Sequence, residues 1–206
     1  MSLLKKLAET GRRYGGDGAY APAGHGSASF KKDGTLYIKY ADTQLSELTE
    51  YGFIAMDAER LAKIAETEYA DMDAQLADIR AAVLPLQRSG MPSTECVLHS
   101  MFPQNYVLHL HPALVNGMVC GEGGKKLAGE LFPQAAWAPF ALPGSELAKA
   151  VKAALSAFEN VPDTLFLQNQ GVVVAADSVE ELDEVVSKVM QTLKDMCIVN
   201  KAHSIV

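Results

Sequence analysis

The sequence predicts one α/β domain with a mixed or antiparallel sheet. Three observations carry this reading: helical patterns alternate with β-prone runs, an Asp33-Gly34 turn signal separates two alternating arms, and two late apolar runs are joined by only a few polar residues. Strands that meet through tight turns run antiparallel, which argues against a doubly wound, all-parallel sheet. At 206 residues the chain can bury one sizeable core, and no shift in composition marks a second domain, so residues 1–206 are expected to form one unit.

The elements follow in order. Leu3, Leu4 and Leu7 recur at helical spacing until Gly15, Gly16 and Gly18 stop the pattern. Residues 27–40 form the predicted hairpin around Asp33-Gly34, and FIAMD (53–57) the next strand. Helical patterning then runs from about 58 to 86, interrupted near Tyr69 and ended by Pro85. Pro92, then Ser93 as N-cap, opens a helix with Glu95 in its first turn. A buried strand at 105–112 ends at Pro112 and is followed by a helix in ALVNGMVCG. The stretch 145–158 is an amphipathic helix, and 164–168 and 171–176 are strands joined through Asn169, Gln170 and Gly171. A helix from Ser178 to about Val199, with a Ser178-x-x-Glu181 capping box, closes the chain.

Composition excludes several functional classes. Hydrophobic residues make up 49% and charged residues 21%, which is ordinary for a folded domain. The net charge of -7 is spread along the chain and no Lys/Arg run could track a phosphate backbone, so nucleic acid is not an expected partner. No apolar stretch reaches the roughly 20 residues of a membrane helix, and the amino terminus turns charged too early for a signal peptide. A soluble, cytoplasmic protein is expected, with Cys96, Cys120 and Cys197 as reduced core thiols.

His109 and His111 lie two apart on a predicted strand, so both imidazoles project to one side, about 7 Å apart at the backbone. They either share a divalent cation or form a hydrogen-bonded pair beside a helix start. Glu95 likewise either serves chemistry or only complements a helix dipole. His99, one turn after Glu95, is expected behind it as support, and His25 either lines a pocket or sits in a loop. GEGGKK (121–126) fits neither phosphate-loop spacing and reads as a flexible loop. Ser, Cys and His are not placed to suggest a nucleophilic triad.

Taken together, PSTECVLHSMFPQNYVLHLHP resembles the S-x-E and H-x-H-P core of the class II aldolase and adducin superfamily, and FLQNQGVVVAADSVEEL resembles its N-H-G-V-V-V segment. GSASFKKDGTLYIK and WAPFALPGSELAKAV are similar to further segments, so the resemblance spans residues 3–195. Within the superfamily it is greatest to the aldolase half of rhamnulose-phosphate aldolase/lactaldehyde dehydrogenase proteins and to L-fuculose-phosphate aldolase. It implies a three-layer α/β/α fold with a largely antiparallel sheet, and a homotetramer. It implies a lyase that cleaves a small hydroxylated carbonyl compound, a sugar or sugar phosphate, through an enediolate. Metal ligands would be His109, His111 and Gln170, zinc the metal, Glu95 the acid/base, and Ser27, Lys39, Ser93 and Thr94 the substrate-binding residues.

The chain departs from the family pattern in places that matter. Gln170 stands where the family has its third histidine; it is either a weaker oxygen ligand or a plain turn residue in a vestigial site. Ser27 replaces Asn, and Asp42 brings a negative charge to a loop where the family has glycine, which works against a phosphate. Lys39 either holds an anion or is a solvated strand-end lysine. The alternative to an enzyme is therefore a degenerate member acting as a binding or assembly module.

Overall fold

The computed structural model describes residues 2–85 and 90–203, the side chains of 199–203 excepted. Its strands are β1 (Ser27–Lys32), β2 (Thr35–Lys39), β3 (Phe53–Asp57), β4 (Tyr106–Leu110), β5 (Ala136–Ala138), β6 (Thr164–Leu167) and β7 (Gly171–Ala176). Its helices are α1 (Leu3–Gly15), α2 (Ala58–Glu66), α3 (Met72–Ala81), α4 (Glu95–Ser100), α5 (Ala113–Val119), α6 (Gly124–Leu131), α7 (Ser145–Leu155) and α8 (Val179–His203). The seven strands form one sheet in the order β3-β2-β1-β4-β7-β6-β5, antiparallel throughout except where β5 runs parallel to β6.

Period-two alternation sorts side chains between the two faces of this sheet. Phe30, Leu108, Val172 and Val174 pack on one face against α1, α5 and α8. Leu36, Ile38, Ile54 and Met56 pack on the other against α2, α3 and α4. Val107, Leu165, Val173 and Ala175 continue that second face toward α7. Helices on both faces of a mixed sheet make the three-layer architecture that the family resemblance implies. No helix among the described residues is long and apolar enough to cross a membrane.

Local chemistry explains the boundaries. Asp33 (φ 50°) and Gly34 (φ 75°) both take positive φ, the type I′ geometry that matches strand twist in a two-residue hairpin. Ser178 Oγ accepts from the Glu181 amide at 3.1 Å and Glu181 reaches back to the Asp177 amide at 3.2 Å, a variant of the expected capping box.

Several boundaries differ from expectation. The second helix of the 58–86 stretch ends at Ala81, before Pro85, because the chain turns to cover edge strand β3: Asp57 N donates to Ala82 O and Leu84 N to Ala55 O. Position 86 lies outside the described residues. Residues 124–126 of GEGGKK are not a loop but the start of α6, which buries Ala128 and follows directly on α5. The glycines masked a helical pattern at Leu127, Ala128 and Leu131. Of the cysteines only Cys96 is in the core; Cys120 is exposed and Cys197 half-buried.

Candidate active site

Four elements converge at one end of the central strands. β1 and β4 pair so that Ser27 lies opposite His109 and Ser29 opposite Val107, which puts both serines on the His109 face. α4 crosses that face and delivers Glu95 from its first residue and His99 from one turn later. The cap position of α4 is Thr94, one residue later than expected, and no side chain caps it. Ser93 instead accepts from the Glu95 amide through its Oγ at 3.2 Å, a local turn that sets the start of the helix. The β6–β7 turn supplies Gln170.

Glu95 is the hub. Its Oε2 lies 2.8 Å from His109 Nδ1 and 3.5 Å from His99 Nε2; the first is a charge-assisted hydrogen bond, the second only an electrostatic contact. His99 is fully buried, and its Nδ1 is 2.8 Å from Ser29 Oγ. His109 Nε2 lies 2.7 Å from the main-chain oxygen of Gln170. Because a carboxylate and a carbonyl only accept, both ring nitrogens of His109 must carry hydrogen, which makes it an imidazolium.

The titration directions agree. Burial pushes His109 down, but the Glu95 carboxylate and the Gln170 carbonyl outweigh it and raise the pKa. Burial pushes Glu95 up, yet the His109 charge and hydrogen bond and the His99 contact bring it well below the usual carboxylate range. His99 is lowered, mainly by burial. His111 is brought down to about 4 by burial and then by the neighbouring His109 charge, so at neutral pH it is an uncharged base. Its ring centroid stands 4.6 Å from that of His109, so the expected shared face is realised.

Two cavities meet at Glu95 and His111. The larger, about 600 Å³, is also lined by His25, Gly26, Ser27, Lys39 and Ser93. Ser27 is 1% exposed there and its Oγ has no hydrogen-bond partner among the described residues. Lys39 is 5% exposed, so the solvated alternative fails: Nζ donates to Tyr40 O at 2.9 Å and to Thr43 O. Burial lowers its pKa, against the pull of Glu95 and Asp42. The smaller cavity, about 370 Å³, is walled by Thr94, Val97, Leu98, Pro143 and Leu147, with His109 and Gln170 beside Glu95 and His111.

The expected zinc ligands do not form a donor set that fits the ion. His109 has no free lone pair, because both nitrogens face acceptors. Gln170 directs its amide nitrogen to Ala141 O at 2.8 Å, and Gln168 Oε1 accepts from Phe140 N at 3.1 Å. Both glutamines thus pin the 139–143 segment above the smaller cavity. Among the described residues no group of three His, Cys, Asp or Glu is placed to hold a metal. Sequence reasoning missed Ser29 and the Gln170 carbonyl. Two serines on the same face of a buried strand were a readable sign of the first; a main-chain atom leaves none.

Comparison with known proteins adds the fold's relatives. The sequence model of the Class II Aldolase and Adducin N-terminal domain matches residues 5–196. The chain is 21% identical over 117 residues to an uncharacterized oxidoreductase, YuxG, of Bacillus subtilis, an alignment covering 56% of this chain and 17% of that protein. The N-terminal class II aldolase domain of a conserved Thermoplasma acidophilum protein superposes with a TM-score of 0.83 at 18% identity, covering 95% of this chain and 94% of that one. A sugar-phosphate aldolase from Thermotoga maritima gives 0.69 at 15% identity, covering 97% and 95%. L-fuculose-1-phosphate aldolase from Thermus thermophilus gives 0.59 at 15%, covering 97% and 96%.

Proposed function

The chain belongs to the class II aldolase and adducin family, and from that premise we propose that it is a lyase acting on a small hydroxylated carbonyl compound that carries an anionic group. One observation supports this most: the 600 Å³ cavity joins an ionised carboxylate and a neutral imidazole, Glu95 and His111, to a buried lysine and an unpartnered hydroxyl, Lys39 and Ser27. Sugar-phosphate aldolases among its structural neighbours agree with that substrate class.

The chemistry needs a base at the hydroxyl of the scissile carbon and positive charge near the carbonyl. In this reading His111 or Glu95 removes the hydroxyl proton, the carbon–carbon bond breaks, and its electrons pass to the carbonyl as an enediolate. Lys39 supplies the nearby cationic field, His109 holds Glu95 in place, and the same base returns the proton to carbon. Ser27 and Lys39 bind the anionic end, while Ser93 and Thr94 border the reacting carbons. Glu95 Oε2 is occupied by His109, which leaves Oε1 for substrate.

The 206-residue chain would be incubated with ketoses and ketose phosphates and aldehyde release followed. Turnover that drops at least about 100-fold in both Glu95→Gln and His111→Asn is expected, the scale of a lost general base. Turnover unchanged in both variants sinks the assignment.

A second reading has its own support: both ring nitrogens of His109 are taken up by Glu95 Oε2 and the Gln170 carbonyl, as in a degenerate binding module. It predicts saturable anion binding with no aldehyde released. A homotetramer, proposed on family resemblance, would cover the exposed Phe140 and Leu142 beside the smaller cavity, and light scattering tests it.

A further inference from the structure

We infer that the main-chain carbonyl of Gln170 takes at His109 the position a divalent cation would need, so that this chain builds a hydrogen-bonded, metal-free site and residue 170 decides which kind of site forms. The distances carry the inference. Two ligands of one tetrahedral zinc, each about 2.0 to 2.1 Å from the ion, stand roughly 3.3 Å apart. His109 Nε2 and the Gln170 oxygen are 2.7 Å apart, and His109 Nδ1 and Glu95 Oε2 are 2.8 Å apart. Both are hydrogen-bond separations, and together they close both in-plane directions of the ring.

The turn that holds the carbonyl is held in turn from several sides. Asn169 has φ 64°, Asn169 N donates to Val119 O at 3.2 Å, and Gln170 N donates to Leu167 O at 2.9 Å. The Gln170 amide is bonded to Ala141 O. Gly171 has φ 84°, and a Cβ there would lie 2.2 Å from Leu110 O, so the backbone is packed against β4. A histidine at 170 would give up the Ala141 bond and add a third imidazole to His109 and His111, enough nitrogen donors to draw an ion and swing the carbonyl away. Alanine would give up the same bond and add nothing.

The test reads metal content, so its outcome is independent of whether the lyase assignment stands. The chelator-stripped 206-residue chain and its Gln170→Ala and Gln170→His variants would be dialysed against zinc, manganese or cobalt, with metal measured by elemental analysis and cobalt geometry by visible absorption. Wild type and Gln170→Ala should retain well under one ion per chain. Gln170→His should retain close to one, with a tetrahedral cobalt spectrum that disappears when His109→Ala is added. A wild-type chain holding one ion that His109→Ala abolishes overturns the inference. So does a folded Gln170→His, checked by circular dichroism, that binds none.

Discussion

The two sides of the cleft are built in opposite ways from similar material. On the Gln170 side, Glu95 Oε2 and both nitrogens of His109 are matched to hydrogen-bond partners, and the charges cancel within 2.8 Å. On the Ser27 side, a buried hydroxyl has no partner among the described residues, and a buried ammonium donates to two main-chain carbonyls while the Glu95 and Asp42 carboxylates pull on its charge. An unpartnered buried polar group costs about 1 to 3 kcal/mol, so it persists where a ligand relieves it. Residue type nominates a site, but atom-by-atom hydrogen-bond satisfaction tells which part of it receives a ligand.

The largest effect should come from breaking the satisfied side. His109→Ala leaves the Glu95 carboxylate without its cation, a loss worth about 3 to 5 kcal/mol for a fully buried pair. The Glu95 side chain is 29% exposed, so about 2 to 3 kcal/mol is expected from urea midpoints after discounting for solvent. Adding Glu95→Gln should restore part of it, which a double-mutant cycle measures. A single-variant loss below about 0.5 kcal/mol would mean that the pair does not organise the cleft.

Next comes the turn itself. Gly171→Ala forces a side chain into positive φ and within 2.2 Å of Leu110 O. Roughly 2 kcal/mol of destabilisation is expected by thermal or urea unfolding, since strain of this kind costs about 1 to 3. An unchanged midpoint would show that the turn can relax, and would weaken the case that it fixes the Gln170 carbonyl.

The two histidines should also differ in sign with pH. His111 falls from an ordinary 6.5 to about 4 in the folded chain, so between these values the unfolded chain binds more protons. Its contribution to stability is full above 6.5 and is lost as pH falls toward 4. His109 is raised, so its contribution is present below 6.5 and fades as pH climbs through its folded value. In urea titrations across pH 4.5 to 8, His111→Asn should flatten the acid side and His109→Asn the alkaline side. Both variants moving the same limb would refute the contrast.

Much of the architecture was legible because it rests on local chemistry: the Asp33-Gly34 turn, the alternation that faces His109 to α4, and the Ser178 cap. Strand β5 was missed because three residues carry no period, and α6 because glycines hid its start. Within the site, Glu95, His109 and His111 were found together as expected, and His99 lies behind Glu95. The burial of Lys39 and the role of Gln170 were not legible. Each depends on where a main-chain carbonyl points, which side-chain identity does not encode.

The smallest effect on stability is the most informative for the open side. Ser27→Ala removes a buried oxygen that bonds to nothing, so the free protein should be unchanged or gain up to about 1 kcal/mol. Ligand response should go the other way: the rise in melting temperature given by inorganic phosphate or glycolate in wild type should shrink in Ser27→Ala and be abolished in Lys39→Met, since a ligand stabilises only through its affinity for the folded state. A Ser27→Ala protein that loses more than about 1 kcal/mol would mean the hydroxyl already has a partner. The two sides of the cleft would then be alike, and the anion would have to bind elsewhere.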